Sequence, residues 1–251
     1  MTVRSDAPDP DFAGLIGALR PRARLLGSER LQGGVSGVVH RVDLEGPDGR
    51  IESLVTRRKD PGNAAGTPGE TLHQEYVLLR WLHARGFPVP EPIHLGHMQE
   101  EECSRVLVMA HVAGSSTIEP ERVPTAAATL ATVLARLHGM EATDPALPAL
   151  PMRNDPREDL ATFLPPGDAG DALSTWLEQA PAPARSGERC LLHGDFWPGN
   201  VLWYDGELRA VLDWEDAAIG DPLSDVALTR MELWSAFGAE ACGAFTRCYG
   251  A

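Results

Sequence analysis

The stretch LLHGDFWPGN, residues 191–200, ends an apolar run in His193, Asp195 and Asn200, and Asp213 follows in NVLWYDGELRAVLDWED. Carboxylate and amide oxygens are the ligands that hard divalent cations such as Mg²⁺ take, together with water and substrate phosphates. Two apolar runs flank Asp205-Gly206, a dipeptide that strongly marks a two-residue hairpin turn. With those residues as the turn, Tyr204 faces Glu207 and Asn200 faces Val211. Asp213 then lies two positions further along the same strand, on the same face, as a diagonal neighbour of Asn200 at roughly 7–8 Å. Asp195 stands in the loop leading into the same open end, so three oxygen-bearing side chains are expected at one mouth. Taken singly, each is also a common turn or cap former. A one-residue slip of register would undo the convergence.

A second group lies earlier in the chain. LQGGVSGVVH sets Gly33, Gly34, Ser36 and Gly37 between two expected strands. Glycine there lets backbone N–H groups approach phosphate oxygens closely, although such turns are also common as plain structure. Glu75 falls on the apolar face of a helix with Leu72, Leu79 and Leu82. A carboxylate facing a core is costly unless it is paired. The strand LVTRRK offers Arg57 and Lys59 on one face and Arg58 on the other. A buried Glu–Arg pair beside a glycine loop is what a phosphate-positioning site requires; the plainer alternative leaves Glu75 at the edge of the helical stripe.

The elements that must position these groups are legible around them. RLLGSERL, VVHRVDL and RIESLVTRRK read as strands, with GPDG as a turn between the last two. A helix runs from about Thr71 to Arg85 and ends at RGFPVP; RVLVMAHVAG reads as a strand turning at Gly114. TAAATLATVLARLHGM is a helix with Gly139 as its stop, and another helix is expected near Leu173–Gln179 among Pro-rich breaks. The expected organisation is a β-rich part over residues 1–109 with a loose tail at 1–10, a connector at 110–114, and a mostly helical part over 115–251 that carries the hairpin. With 251 residues, 43% of them hydrophobic, the chain can bury a sizeable core. Its net charge of −14 argues against nucleic-acid binding, which needs clustered Lys and Arg. Four cysteines without paired spacing argue against a disulfide framework or a zinc site. No apolar run suits a signal peptide or a membrane span, so a cytoplasmic protein without a membrane partner is expected.

In these residues the chain resembles the aminoglycoside phosphotransferase family, small-molecule kinases related in fold to protein kinases. HGDFWPGN resembles its catalytic loop and LDWEDAAIGDPLSDVA its metal-binding segment. LVTRRKD, HQEYVLLRWL, PVPEPI and VLVMAHVAG resemble its third strand, its C-helix, the loop beyond and its hinge. The resemblance runs from about Leu25 to Ala227. It implies an α+β, bilobal, protein-kinase-like fold: a β-rich N-lobe with one C-helix, and a mostly helical C-lobe carrying the catalytic hairpin. It implies Asp195 as the base accepting the proton of the attacking hydroxyl, and Asn200 and Asp213 as ligands of a Mg²⁺ that bridges ATP phosphates. Arg57 stands where the family's phosphate-contacting Lys stands, with Glu75 as its partner, and Met109, His111 and Val112 fall in the hinge that meets the nucleotide base. His193 and Asp225 are implied to order the loop. ATP is the expected cofactor, with GTP open.

Two features depart from the family pattern. Arg57 replaces a Lys, and a planar fork contacts phosphate differently from a point charge. Few residues follow Asp225, so either the acceptor pocket is reduced or the chain continues beyond the given sequence. Glu215, Asp216 and Asp221 would make the cleft mouth acidic and favour a cationic, hydroxyl-bearing small molecule, or else pair and cap locally. The expected activity is O-phosphotransfer from ATP to a small molecule; the rival reading is a non-catalytic kinase-like module that binds a nucleotide or ligand.

Overall fold

The computed structural model describes residues 10–31, 37–59, 68–97, 105–153, 167–179, 187 and 189–250. The chain divides into two compact units. One comprises residues 1–117, 145–148 and 201–215, and the other residues 118–144, 149–200 and 216–251.

The first unit is built on a five-stranded antiparallel sheet. Its strands are β1 (Arg24–Arg30), β2 (Gly37–Glu45), β3 (Ile51–Lys59), β4 (Pro92–His97) and β5 (Arg105–Ala110), in the order β1-β2-β3-β5-β4. Strand side chains alternate between faces, and β3 shows what that does here. Leu54, Val42, Leu44, Val106 and Val108 form one face and pack with Phe12, Leu15 and Ile16 of helix α1 (Pro10–Leu19). Pro10, expected in a loose tail, opens this helix instead, at a position that needs no intrahelical N–H bond. Arg57 pairs in register with Leu107 and Val55 with Met109, so these four residues share the opposite face. Helix α2 (Pro68–Ala84) packs there, with Leu72, Leu78, Leu79 and Leu82 buried. One polar side chain per element, Arg57 and Glu75, is thereby buried in an otherwise apolar layer.

A two-stranded ribbon, β8 (Val201–Tyr204) and β9 (Glu207–Val211), also belongs to this unit. Asp205 and Gly206 form its turn with φ of 52° and 78°, the pair of positive values a type I′ turn requires. Tyr204 faces Glu207 as expected, but a bulge between Leu202 and Trp203 shifts the register, and the open end pairs Val201, not Asn200, with Val211. The extra residue, Arg209, takes no place in the ladder. β9 ends at Val211, so Asp213 does not continue the strand; it adopts a left-handed conformation at φ 61°. The diagonal Asn200–Asp213 relation expected from the turn therefore does not hold in that form. Ser115 bridges to Trp203 through two backbone hydrogen bonds of 2.8 and 2.9 Å, which fastens the connector to the ribbon.

The second unit is mostly helical. Helix α3 (Val123–His138) buries Ala127, Leu130, Leu134 and Leu137 and ends at Gly139. Helices α5 (Leu223–Phe237) and α6 (Ala239–Tyr249) pack with each other, and α6 also packs on α3; α4 (Asp168–Gln179) covers the helix expected near Leu173. A small sheet in the order β6 (Met152–Arg153), β10 (Ala218–Gly220), β7 (Cys190–Leu192) carries the buried run that leads into His193. Among the described residues no helix is long and apolar enough to cross a membrane.

Candidate functional site

The loop after β7 is anchored from below. Asp225 of α5, 1% exposed, accepts the backbone N–H of His193 at 2.8 Å on Oδ2 and that of Gly194 at 2.9 Å on Oδ1. Burial pushes the Asp225 carboxyl upward, but the hydrogen bond and charge of His138, with His193, outweigh it and hold the group below its ordinary value. Thr229 Oγ1 lies 2.6 Å from the Phe196 carbonyl oxygen, a further tie from α5 to the loop. Gly194 has φ 88°, and a Cβ there would fall inside van der Waals contact with the Asp216 carbonyl. Only glycine fits both conditions. His193 is fully buried and accepts the Asp195 N–H on Nδ1 at 3.2 Å, so it orders the backbone of this loop.

These ties leave the Asp195 side chain with two unlike oxygens. Oδ2 accepts from Asn200 Nδ2 at 2.8 Å and from Trp197 Nε1 at 3.3 Å. Oδ1 has no partner among the described residues. Asn200 Nδ2 also donates to the Asp195 carbonyl at 2.9 Å, which commits its nitrogen to the loop and leaves its oxygen without a protein donor among the described residues. A carboxylate oxygen open to a ligand proton and an amide oxygen open to a cation are thus products of one hydrogen-bonded loop.

In the other unit, Arg57 gathers three acids. Its Nη1 donates to Glu75 Oε1 at 2.5 Å, and its Nη2 meets Glu215 Oε2 and Asp213 Oδ1, each at 2.9 Å. The aligned Nη2 hydrogen bond goes to Glu215, whereas Asp213 Oδ1 is buried beside the guanidinium without completing one. Burial works against the Arg57 charge, yet Glu75, Asp213 and Glu215 together keep its pKa above the ordinary arginine value. Of Arg57 and its three partners, Asp213 is the most exposed, with 36% of its side chain accessible against 4% for Glu75 and 17% for Glu215. Asp213 is held in its left-handed conformation by neighbours on both sides. Val211 N–H donates to the Pro88 carbonyl at 2.7 Å, and Trp214 is buried against Phe87 with its Nε1 on the Val211 carbonyl.

Taken one by one, Asp213 of the first unit carries a carboxylate and Asn200 of the second an amide oxygen, and each is a ligand type that hard divalent cations take. No group of three or more His, Cys, Asp or Glu side chains able to hold a metal occurs among the described residues. In the connector, Ala110 N–H donates to the Glu91 carbonyl and His111 N–H to the Ser53 carbonyl at 3.1 Å. Val112 N–H has no partner among the described residues. Burial, and then the charge of Arg41, lower the His111 pKa, which favours a neutral ring.

Of the remaining candidates, Gly37 opens β2 beside the Arg58 carbonyl, while Gly33, Gly34 and Ser36 lie outside the described residues. Asp216 is exposed next to Gly194. Glu215, considered in the sequence for an acceptor-binding role, has its charge balanced by Arg57. Sequence reasoning passed over Trp197 and His138. His138 had a usable signal, because it continues the buried stripe of Ala127, Ala131 and Leu134 at helical spacing, as Glu75 does on α2.

Comparison with known proteins identifies the family and the fold. The model of the phosphotransferase enzyme family matches residues 28–250. Acyl-CoA dehydrogenase family member 11 of Homo sapiens is 30% identical over 196 residues, covering 70% of this chain and 25% of that protein. The chain spans about a quarter of the length of the curated relatives it matches over most of its own length. Among solved structures, aminoglycoside-3'-phosphotransferase of type VIII superposes with a TM-score of 0.68 at 24% identity, covering 96% of this chain and 90% of that one. The GDP and kanamycin complex of APH(2")-IIia gives a TM-score of 0.69 at 18% identity, with 95% and 82% covered. These likenesses identify the fold as that of the kinase-like aminoglycoside phosphotransferases.

Proposed function

Because the chain belongs to the phosphotransferase enzyme family, we propose that it moves the γ-phosphoryl group of ATP, or of GTP, to a hydroxyl of a small molecule. The observation that carries this reading is the unequal Asp195 carboxylate: Oδ2 is held by Asn200 and Trp197 while Oδ1 has no partner among the described residues. A general base needs one oxygen fixed and the other free to accept a proton.

In this reading Asp195 Oδ1 accepts the acceptor's hydroxyl proton as its oxygen attacks the γ-phosphorus and the bond to the β-phosphate bridging oxygen breaks. Asn200 and Asp213 are the residues that would hold Mg²⁺, which would neutralise phosphate charge. Arg57, steadied by Glu75, lies on the sheet face at which a phosphate contact is expected, and its fork gives two contact directions where a lysine gives one point charge. Val112 N–H is the connector amide that could meet a nucleotide base. Solved neighbours were obtained with GDP and kanamycin and with ADP and hygromycin B, which supports a guanine or adenine nucleotide and a small acceptor of that kind. The net charge of −14 suits a cationic acceptor.

The test pairs two measurements on one preparation. Thermal stabilisation by Mg·ATP and Mg·GTP reports binding, and phosphorus NMR on a panel of hydroxyl compounds reports transfer. Transfer to any member supports the enzyme. Stabilisation without transfer across a broad panel would favour a non-catalytic binding module.

A further inference from the structure

We propose that Tyr249, at the end of α6, is a positioning residue for the loop that bears Asp195, acting through His138 and Asp225. The inference rests on the functional reading above only in taking that loop as catalytic. Asp225 spends its two oxygens on three donors: Gly194 N–H on Oδ1, and His193 N–H and His138 Nε2 on Oδ2, the last at 3.0 Å. A carboxylate has no proton to give, so His138 Nε2 must donate. In its neutral form, as distinct from the charged form that pairs with Asp225 as an ion, the imidazole has one N–H, which leaves Nδ1 as an acceptor. The group at His138 Nδ1 is Tyr249 Oη, at 2.7 Å, and toward the neutral ring the phenol must donate. Burial, followed by the neighbouring Cys190, Asp225 and Asp221, raises the Tyr249 pKa to about 12, so its proton stays in place.

The packing holds this order of donors. Tyr249 meets the His138 ring edge-on, with centroids 5.8 Å apart, and stacks on Phe245, which is fully buried. His138 ends α3 and Tyr249 ends α6, so one hydrogen-bonded line runs from two helix ends to the backbone of His193 and Gly194. Without the phenolic donor, His138 is free to carry its proton on Nδ1. Nε2 would then turn a lone pair toward the Asp225 charge, and the carboxylate would lose a donor that holds it under the loop.

The test is Tyr249→Phe in the full chain, read first by ¹⁵N NMR of His138. Read at a pH where the ring is neutral, the wild type should carry its proton on Nε2, and the variant should show a mixture of tautomers. Hydrogen exchange at the His193 and Gly194 amides should speed up by about tenfold, the equivalent of one lost hydrogen bond. Turnover should fall several-fold while the KM for nucleotide stays constant. His138→Gln supplies an amide donor to Asp225 without needing a tautomer, so adding Tyr249→Phe to it should change neither exchange nor turnover further. An unchanged His138 tautomer together with unchanged amide exchange would overturn the proposal. Should the wild type transfer no phosphate while both NMR readouts still shift, Tyr249 keeps its role and the functional reading is what fails.

Discussion

The proposed chemistry rests on two residues, and each is set by partners of a different kind. Asp195 is oriented by neutral donors, Asn200 and Trp197, which fix one of its two oxygens. Asp195→Asn should cut turnover by about 10²–10⁴-fold, the usual worth of a positioned base, while calorimetry shows nucleotide affinity nearly intact. Equal loss of both would assign Asp195 to binding instead. Arg57 is oriented by three acids, and the burial of its pair with Glu75 gives that pair a structural part beside its proposed one. Arg57→Met removes the guanidinium that balances the buried Glu75 carboxylate inside an apolar layer. Urea unfolding should then show a loss of about 3–5 kcal/mol, whereas a loss near zero would mean the layer is wet.

At the scale of elements, turns and anchors decide where those residues can act. Gly194 sits at φ 88° against the Asp216 carbonyl, so Gly194→Ala should displace the loop it starts. Turnover should drop at least as far as in Asp195→Asn, with far-UV circular dichroism unchanged. Retained turnover would show that the loop tolerates a shift. Much of this was legible in the residues. The helix carrying Glu75, the hairpin at Asp205-Gly206 and the strand before His193 follow from apolar spacing and turn chemistry alone. The bulge at Arg209 was not legible, because one extra residue in a short ribbon leaves its alternation and its turn signal intact. For the same reason Asp213 was read as a strand residue, when tertiary contacts to Pro88 and Phe87 place it in a left-handed turn. The role of Glu215 was hidden too, since its pairing with Arg57 depends on residues far apart in the chain.

For the whole molecule, charge and anchoring meet in the response to acid. Asp225 has its carboxyl held below the ordinary value in the folded state, so it contributes stability that is present above the unfolded value of about 3.9 and is lost as pH falls through the folded one. A wild-type melting temperature that falls between about pH 5 and pH 3 is expected, and Asp225→Asn should flatten that fall while lowering stability near neutrality. An identical pH dependence in both proteins would place the acid-sensitive group elsewhere among the many carboxylates. The most direct test of the whole reading is the Mg²⁺ dependence of phosphoryl transfer in wild type and in Asp213→Ala. Transfer from ATP or GTP to a hydroxyl compound should rise with Mg²⁺ in the wild type and vanish in the variant, which should still fold. Transfer that survives Asp213→Ala, or that ignores Mg²⁺, would contradict the assignment.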